Sequence, residues 1–362
     1  MRGSTGGRPA PGIRQTPGAG RRLPPLRPVV AGTCALVAAA VIAVVLVACG
    51  GRQVPGPASP SGSASRPGHL ATGSLVPSAG ALFGAWVEPT DGFTTSDEES
   101  AVTALEHRLG RSLAIDQLYV RWDAPMPLAV ARWDLQHGTI PMISWAGAPT
   151  SLIASGRYDA QIRARALQLR ALPGPVMLRW FAEMDGTANR ADAGSPKTFI
   201  AAWRHIHSIF ASVGASNVSW VWCPTAFNFS TGYAQQFYPG NDFVDWVGAD
   251  GYNWAPRRPG SHWTSFGQIF SSFYQWGAST GKPLLVGEFG VLEGAPGQKA
   301  AWLRQAGQEL RTQFPAIRAV VYFDSDHENF NWRVTTSSSA FAAFRAFATD
   351  TYFRARPAVW SR

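Results

Sequence analysis

Short apolar runs of strand length alternate with longer amphipathic stretches between about residues 81 and 350. The amphipathic stretches predict five helices, at Ser96–Leu109, Tyr158–Leu172, Pro196–Val213, Phe266–Ser279 and Gln298–Gln313. The apolar runs predict eight strands, at Leu82–Val87, Ile115–Arg121, Ile140–Trp145, Val176–Glu183, Val218–Cys223, Phe243–Asp250, Pro283–Glu288 and Ala319–Asp324. Eight strands alternating with helices over roughly 270 residues predict an α/β fold, the (β/α)8 or TIM barrel.

A doubly wound open sheet is the alternative for such an alternation. That fold ordinarily carries a glycine-rich phosphate-binding loop after its first strand. Here the first predicted strand leads into Val87-Glu88-Pro89-Thr90, which contains no glycine. We therefore predict the barrel, as a single catalytic domain.

The N-terminal residues differ in composition from this domain. The first 69 residues hold eight arginines and no acidic residue, and the run 29–48 is uncharged and apolar. A basic leader before such a run is typical of a secretory signal or a membrane anchor. The run leads into Leu46-Val47-Ala48-Cys49-Gly50, which resembles a bacterial lipobox and predicts lipidation of Cys49. An uncleaved transmembrane helix is the alternative.

Four segments follow from these patterns. They are a lipoprotein-type signal segment (1–49), a disordered linker rich in Pro, Gly and Ser (50–80), the barrel (81–350) and a C-terminal tail (351–362). The barrel would then lie outside the cytoplasm, on a cell-surface lipoprotein or a secreted protein, and we expect a monomer whose membrane contact is the N-terminal anchor.

Charge and cysteine content exclude several classes of function. The net charge of +9 belongs to the N-terminal segment, because the remaining residues carry 24 Lys and Arg against 23 Asp and Glu. A nearly neutral body argues against nucleic-acid binding. Cys223 is the only cysteine after Cys49, so a disulfide within the barrel is excluded and we expect a small buried side chain there. The His and Cys spacings indicate no metal site, and we expect no cofactor.

Two of the apolar runs end on a glutamate, Glu183 and Glu288, and each glutamate is followed by glycine or a turn. Carboxylates where barrel strands meet their loops lie on the catalytic rim of this fold. Two facing carboxyl groups are what glycoside hydrolysis requires. Strict alternation places further residues on the lumen face with the two glutamates: Arg179, Phe181, Leu284 and Val286. Arg179 would offer its guanidinium to the carboxylates or form a structural ion pair.

The sequence resembles glycoside hydrolase family 26 of clan A, whose members include β-mannanases and related endo-β-glycanases. The resemblance rests on motifs along the whole body: Tyr119–Trp122, Ile140–Trp145, Arg179–Gly186, Val221–Pro224, Tyr238–Asn253, Gly287–Gly290 and Tyr322–Asp324. It implies that Glu183 is the acid/base, Glu288 the nucleophile and Tyr252 a hydrogen-bond donor that orients Glu288. It also implies a retaining double displacement, for which the two carboxyl groups lie about 5–5.5 Å apart.

Three positions depart from the family pattern. Ala182 stands where the family usually has histidine, and Asp185 and Thr225 stand where asparagine is common. A second carboxylate at Asp185 should raise the pKa of Glu183 if the two groups are close. Substrate specificity therefore does not transfer from the mannanases.

Other candidate substrate-binding residues are Trp145, Trp254, Trp332 and Asp250. Each tryptophan follows or ends a strand and either stacks on a sugar or packs in the rim, and Asp250 either contacts a sugar hydroxyl or fixes loop geometry. We predict a retaining glycosidase that is endo-acting on a β-linked, mannan-like or related polysaccharide. The alternatives are a degenerate barrel that binds glycan without cutting it and a transglycosylase of envelope polysaccharide.

Overall fold

The computed structural model describes residues 75–327 and 330–357. In them, eight parallel strands close into a barrel in which neighbours in sequence pair and the eighth strand returns to the first. The strands are β1 (Leu82–Val87), β2 (Ile115–Val120), β3 (Ile140–Trp145), β4 (Val176–Trp180), β5 (Val218–Trp222), β6 (Trp246–Asn253), β7 (Leu284–Val291) and β8 (Ile317–Asp324). The predicted (β/α)8 barrel is confirmed.

Helices surround the barrel and follow most of its strands. They are α1 (Thr95–Leu109), α2 (Leu128–Gln136), α3 (Thr150–Ala154), α4 (Asp159–Arg170), α5 (Arg190–Ala193), α6 (Pro196–Ser212), α7 (Phe266–Ser279), α8 (Gln298–Thr312) and α9 (Ser338–Thr349). Short 3₁₀ helices span Ala226–Phe229, Ala234–Phe237, Asn241–Phe243 and Thr351–Arg354, and Asp326–His327 pairs with Phe330–Asn331 as a small hairpin. The five predicted helices are present. The sequence pattern misses α2, α3, α5 and α9, and three of these have too few turns for a clear helical period.

The first helix shows how local chemistry sets an element boundary. The side chain of Thr94 accepts the backbone N–H of Asp97, and the Asp97 carboxylate accepts the backbone N–H of Thr94. This capping box satisfies two otherwise unpaired donors of the first turn. The helix therefore begins at Thr95, one residue before the predicted Ser96, and ends where Gly110 adopts a left-handed conformation.

Two apolar cores lie on the two sides of the strands. One fills the barrel lumen with residues such as Met142 and Leu285, and the other lies between the strands and the helices. Leu75, inside the predicted linker, is 1% exposed and packs into the lumen core. Phe353, inside the predicted tail, is equally buried in the helix-side core. The packed structure therefore extends beyond 81–350 at both ends, because these side chains cover apolar surface.

The predicted signal run 29–48 and Cys49 lie outside the described residues. Within the described ranges, the helices are all too short or too polar to cross a membrane.

Candidate active site

Glu288 lies inside β7 at a β-bulge that directs its side chain into the barrel. Relative to both neighbouring strands, β7 has one extra residue between Val286 and Phe289. Gly287 faces the interior as well, because a Cβ at this position would lie 2.6 Å from the sulfur of Cys223. A bulge of this kind bends a strand and redirects a side chain. The bulge and the glycine together let two successive residues face the lumen.

The bulge overturns one prediction from strict alternation. Leu284 and Val286 do not share the lumen face with Glu288, because both pack in the core between strands and helices. Leu285 faces the lumen instead. An extra residue shifts the alternation by one position, so faces assigned by counting back from Glu288 are reversed.

The Glu288 carboxylate is surrounded by hydrogen-bond donors. It forms an ion pair with Arg179, accepts the hydroxyl group of Tyr119 at 2.6 Å, and accepts that of Tyr252. The amide of Gln117 lies 3.3 Å from the same carboxylate. Burial raises the pKa of Glu288, but the Arg179 charge and the two hydroxyl groups outweigh burial and hold the pKa below its ordinary value. Glu288 is therefore kept ionised.

Glu183 lies on a strained turn rather than at the end of a strand. The strand predicted to reach Glu183 ends at Trp180, and among the non-glycine residues of the described ranges only Phe181 and Glu183 have positive φ, at 48° and 53°. This left-handed conformation costs about 1–2 kcal/mol per non-glycine residue. The backbone N–H of Glu183 donates to the carbonyl oxygen of Cys223 at 2.8 Å, which ties the turn to β5. Such strain is typical of functional sites.

The same turn corrects the predicted position of Phe181. Phe181 borders the same cleft as Glu183, but its ring packs in the helix-side core, 5.7 Å from Trp180 and 6.0 Å from Phe199 between ring centroids. The left-handed turn breaks the alternation on which the prediction relied. Arg179, one residue before the strand ends, does face the lumen, as predicted.

Glu183 and Glu288 line one cleft of about 330 Å³. The pKa of Glu183 is raised to about 7, first by burial and then by the negative charge of Glu288, while Arg179 opposes the rise. Asp185 adds a smaller contribution in the raising direction. The two carboxyl groups therefore have opposite pKa shifts at a shared cleft, which is the pattern of an acid paired with an ionised carboxylate.

Arg179 links the cleft to a buried polar group beneath it. Its guanidinium lies 2.8 Å from Asp250 Oδ1 and 2.9 Å from Ser144 Oγ, and both Arg179 and Asp250 are 2% exposed. The thiol of Cys223 also donates to Asp250, at 3.2 Å. Asp250 therefore lies on β6 below the cleft, where it holds Arg179. This contact is neither of the two roles considered from sequence.

The three candidate tryptophans differ in their access to the cleft. Trp145 borders the cleft, but it is fully buried and stacks on Trp122, with 4.4 Å between ring centroids and 4° between planes. Trp332 is 2% exposed and packs against Tyr252 at 4.8 Å. Trp254 is half-buried, and the guanidinium of a neighbouring arginine lies over its ring. Among these three, only Trp254 presents substantial surface to solvent.

Sequence reasoning missed an aromatic group beside Glu288. Trp86 and Phe323, at the ends of β1 and β8, are half-buried with ring centroids 4.7 Å apart, and Trp86 also contacts Tyr119 at 4.9 Å. Along β1 and β8, residues that face the helices alternate with residues that face the lumen. This alternation would have placed Trp86 and Phe323 on the lumen face. They give this end of the barrel apolar surface of the kind that packs against sugar rings.

The departures from the family pattern have identifiable environments. Ala182 lines the cleft next to Glu183. Asp185 is 2% exposed and points to Thr225 and Asn228. In the part of the chain that the structure describes, no three His, Cys, Asp or Glu side chains are arranged to hold a metal ion.

Sequence comparison identifies relatives of this barrel. Residues 154–274 match the sequence model of glycosyl hydrolase family 26. The chain is 34% identical to Endoglucanase H of Acetivibrio thermocellus over 283 residues, which are 74% of this chain and 30% of that protein. It is 33% identical to the β-1,3-xylanase TXYA of a Vibrio species over 142 residues, 38% of this chain and 28% of that protein. The chain thus spans less than a third of the length of these curated relatives.

Solved structures share the fold. A ruminal family 26 endo-β-1,4-mannanase aligns with a TM-score of 0.56 at 16% identity, over 78% of this chain and 65% of that chain. A family 26 β-mannanase from Bacteroides ovatus aligns with a TM-score of 0.55 at 16% identity, over 75% and 89%. The sequence relatives, the matching family model and the shared barrel agree with the resemblance found in the motifs. The chain is therefore similar to glycosyl hydrolase family 26 in sequence, over residues 154–274, and in fold.

Proposed function

We propose that the protein is an endo-acting, retaining glycoside hydrolase that cleaves a β-linked polysaccharide. The observation that carries this proposal is the pair of glutamates in one cleft, of which Glu183 has its pKa raised to about 7 and Glu288 has its pKa lowered. Near neutral pH the first can donate a proton while the second is an ionised nucleophile. Environments that separate the pKa values of two carboxyl groups in this way assign the acid and base roles.

The reaction would proceed in two steps. Glu288 attacks the anomeric carbon as Glu183 gives its proton to the departing glycosidic oxygen, which leaves a glycosyl ester on Glu288. Glu183, now ionised, removes a proton from water, and the resulting hydroxide displaces Glu288 from the sugar. Arg179 and the hydroxyl groups of Tyr119 and Tyr252 stabilise the Glu288 carboxylate before attack and after its release.

A β-glucan is the substrate class to test first. The relative named Endoglucanase H matches most of this chain at 34% identity, whereas the mannanases share the fold at 16% identity. Ala182 also removes the imidazole that the family usually places beside the acid/base. The first observation favours a glucan, the second weakens a transfer of mannan specificity, and the name of the Vibrio relative makes a β-1,3-xylan the next candidate.

The substrate and the stereochemistry can be tested together. The purified protein should be incubated with soluble β-glucans, mannans and xylans while viscosity and reducing ends are followed, because endo cleavage lowers viscosity before many ends appear. Proton NMR of the first products should show the β-anomer before mutarotation. An initial α-anomer would rule out the two-step scheme, and binding without cleavage would favour the degenerate glycan-binding barrel.

Nucleophile rescue tests the role of Glu288. Glu288→Ala should abolish turnover, and azide or formate should restore part of it by entering the vacated space and attacking the anomeric carbon. Glu288→Gln is the matched control, because it removes the charge without opening space and should not be rescued. Equal rescue of both variants, or of neither, would contradict the assignment.

We also propose that the barrel is tethered to the cell surface through a lipid on Cys49. The support is the lipobox-like sequence after an uncharged apolar run. Cys49→Ser should abolish incorporation of labelled fatty acid, while Cys34→Ser, in the same N-terminal segment, should leave it unchanged. Continued labelling of Cys49→Ser would refute the anchor.

A further inference from the structure

The turn that carries Glu183 is held by a side chain from outside the family motif. The amide nitrogen of Asn189 donates to the carbonyl oxygens of both Ala182 and Glu183, each at 3.1 Å. Asn189 also lines the cleft, although its side chain makes no capping bond to α5, the helix that it precedes. Asn189 therefore borders the same cleft as Glu183 and Glu288 and also bonds the backbone that supports Glu183.

The two carbonyl groups belong to the peptide planes on either side of the Glu183 Cα. The Ala182 carbonyl is part of the plane that sets φ of Glu183, and the Glu183 carbonyl is part of the plane that sets ψ. A donor that bonds both oxygens therefore restricts both backbone torsions at once. These torsions need restriction, because φ of Glu183 is +53°, in a region that a glutamate rarely occupies.

Other contacts fix the turn less completely. The Glu183 N–H donates to the Cys223 carbonyl at 2.8 Å, and the Gly186 N–H donates to the Glu183 carbonyl at 2.8 Å. These bonds anchor one plane each, and neither bridges the two planes. Since the direction of the Glu183 side chain follows from its backbone torsions, loss of the Asn189 bridge would let the carboxyl group move relative to the cleft.

We propose that Asn189 is a positioning residue for Glu183, fixing the two peptide planes that direct its carboxyl group toward the leaving oxygen. This inference rests on the proposed glycosidase function. An asparagine suits the role because one amide nitrogen carries two N–H donors, whereas aspartate of the same shape carries none when ionised. A displacement of about 1 Å at a reacting group can cost about 100-fold in rate.

The experiment compares substrates that need a proton donor with substrates that do not. For Asn189→Ala and Asn189→Asp, kcat/KM should be measured on a series of aryl β-cellobiosides whose leaving groups differ in acidity. Both variants should lose about tenfold or more on poor leaving groups and little on the dinitrophenyl glycoside, since acid assistance is worth about 10²–10⁴-fold only where it is required. Asn189→Asp keeps the size of the side chain and covers the case in which Asn189→Ala does not fold.

A matched control lies at the opposite end of the barrel. The amide nitrogen of Asn217 bridges the carbonyl oxygens of Leu169 and Gly174, each at 3.0 Å, immediately before β5. Asn217→Ala removes the same kind of contact away from the cleft. It should lower the melting temperature without changing the dependence of kcat/KM on the leaving group.

The outcomes separate this inference from the proposed function. If Glu183→Gln shows no selective loss on poor leaving groups, or if the wild type cleaves none of the glycosides, the proposed function fails and the inference with it. If Glu183→Gln shows the selective loss and the Asn189 variants fall uniformly across the series, only the positioning role is overturned. A selective loss in the Asn189 variants that Asn217→Ala does not share supports it.

Discussion

The carboxylate of Asp185 accepts two hydrogen bonds from Thr225, one from the backbone N–H and one from the hydroxyl group, each at 3.0 Å. The amide of Asn228 donates to the same carboxylate at 3.0 Å. Both Asp185 and Thr225 stand where the family commonly has asparagine, so the two departures are in direct contact. An ionised carboxylate only accepts hydrogen bonds, and it meets three donors here. The pair is therefore a coupled change that ties the turn carrying Glu183 to the loop after β5.

Asp185→Asn should affect stability more than the pH dependence of activity. The new side chain has one acceptor oxygen instead of two, and its NH₂ group would replace an oxygen that now accepts a hydrogen bond from Thr225 or Asn228. A buried donor left without an acceptor costs about 1–3 kcal/mol, or about 2–6 °C in melting temperature. Because Asp185 is a minor cause of the raised pKa of Glu183, the alkaline limb of the pH–rate profile should move down only slightly. Calorimetry and pH–rate profiles check both, with exposed Asp192→Asn as control. A downward shift of a full pH unit would show that the Asp185 charge dominates.

The pH–rate profile of the wild type should be limited on its alkaline side by Glu183. The first step needs protonated Glu183, so kcat/KM should fall as pH rises through about 7, the raised pKa of that group. Because the pKa of Glu288 is lowered, the acid limb should lie at lower pH than an ordinary glutamate would give. Glu183→Gln cannot titrate and should lose the alkaline limb on an activated aryl glycoside. An alkaline limb that persists in Glu183→Gln would assign it to another group.

The sequence predicts the barrel because its strands are short apolar runs, most of them separated by helices of clear period. It also places Glu288 and Arg179 correctly in the lumen, since the carboxyl ends of barrel strands meet at one face. Two irregularities escape it: the left-handed turn over Phe181 and Glu183, and the bulge at Gly287. Period-two counting assumes a regular strand, and tertiary contacts rather than local propensity stabilise both exceptions.

Buried contacts explain the other differences. Trp145 has the position of a sugar-binding residue in sequence, but its ring is covered by Trp122, from a different loop. Asp250 and Cys223 contact Arg179 only because the barrel brings β4, β5 and β6 side by side. A local sequence pattern does not reveal contacts between distant residues. The resemblance to a family instead points directly to Glu183, Glu288 and Tyr252.

Tyr119→Phe should shift the acid limb of the pH–rate profile upward. Tyr119 is 40% exposed, but its hydroxyl end lies in the cleft, where removal from water and the negative charge of Glu288 raise its pKa. The hydroxyl group therefore stays protonated and donates to Glu288 at 2.6 Å. A hydrogen bond to a charged group is worth about 1.5–3 kcal/mol, so its loss should raise the pKa of Glu288 by about one unit or more. The profile of kcat/KM measures the shift, and Tyr233→Phe, away from the cleft, is the control. An unmoved acid limb would mean that Arg179 and Tyr252 alone set the ionisation of Glu288.

A second carboxyl pair lies behind the barrel wall, away from the cleft. Asp116 on β2 and Asp134 on α2 are 1% and 0% exposed, and burial raises the pKa of both well above the ordinary value. A proton on Asp134 lets it donate to Asp116, and among the described residues no other donor reaches the side-chain oxygens of Asp134. Burial also raises the pKa of nearby Glu98 to about 6. Above about pH 4, the Asp116–Asp134 pair therefore keeps a proton in the folded state that the same residues release in the unfolded chain.

Asp134→Asn should make the folded protein less sensitive to alkaline pH. Because the pKa of the pair is raised in the folded state, the pair stabilises the fold fully below about pH 4, the unfolded pKa of aspartate. This stabilisation declines as the pH rises toward the folded pKa, by at most about 1.4 kcal/mol per pH unit and titrating group. An asparagine carries a permanent N–H donor and keeps the bond to Asp116 without a proton. Urea unfolding at pH 4, 6 and 8 should therefore show a gain for Asp134→Asn over the wild type that grows with pH, whereas exposed Asp91→Asn should follow the wild type. Parallel curves for Asp134→Asn and the wild type would show that this pair binds no extra proton, and the pH dependence of stability would then have to come from other groups.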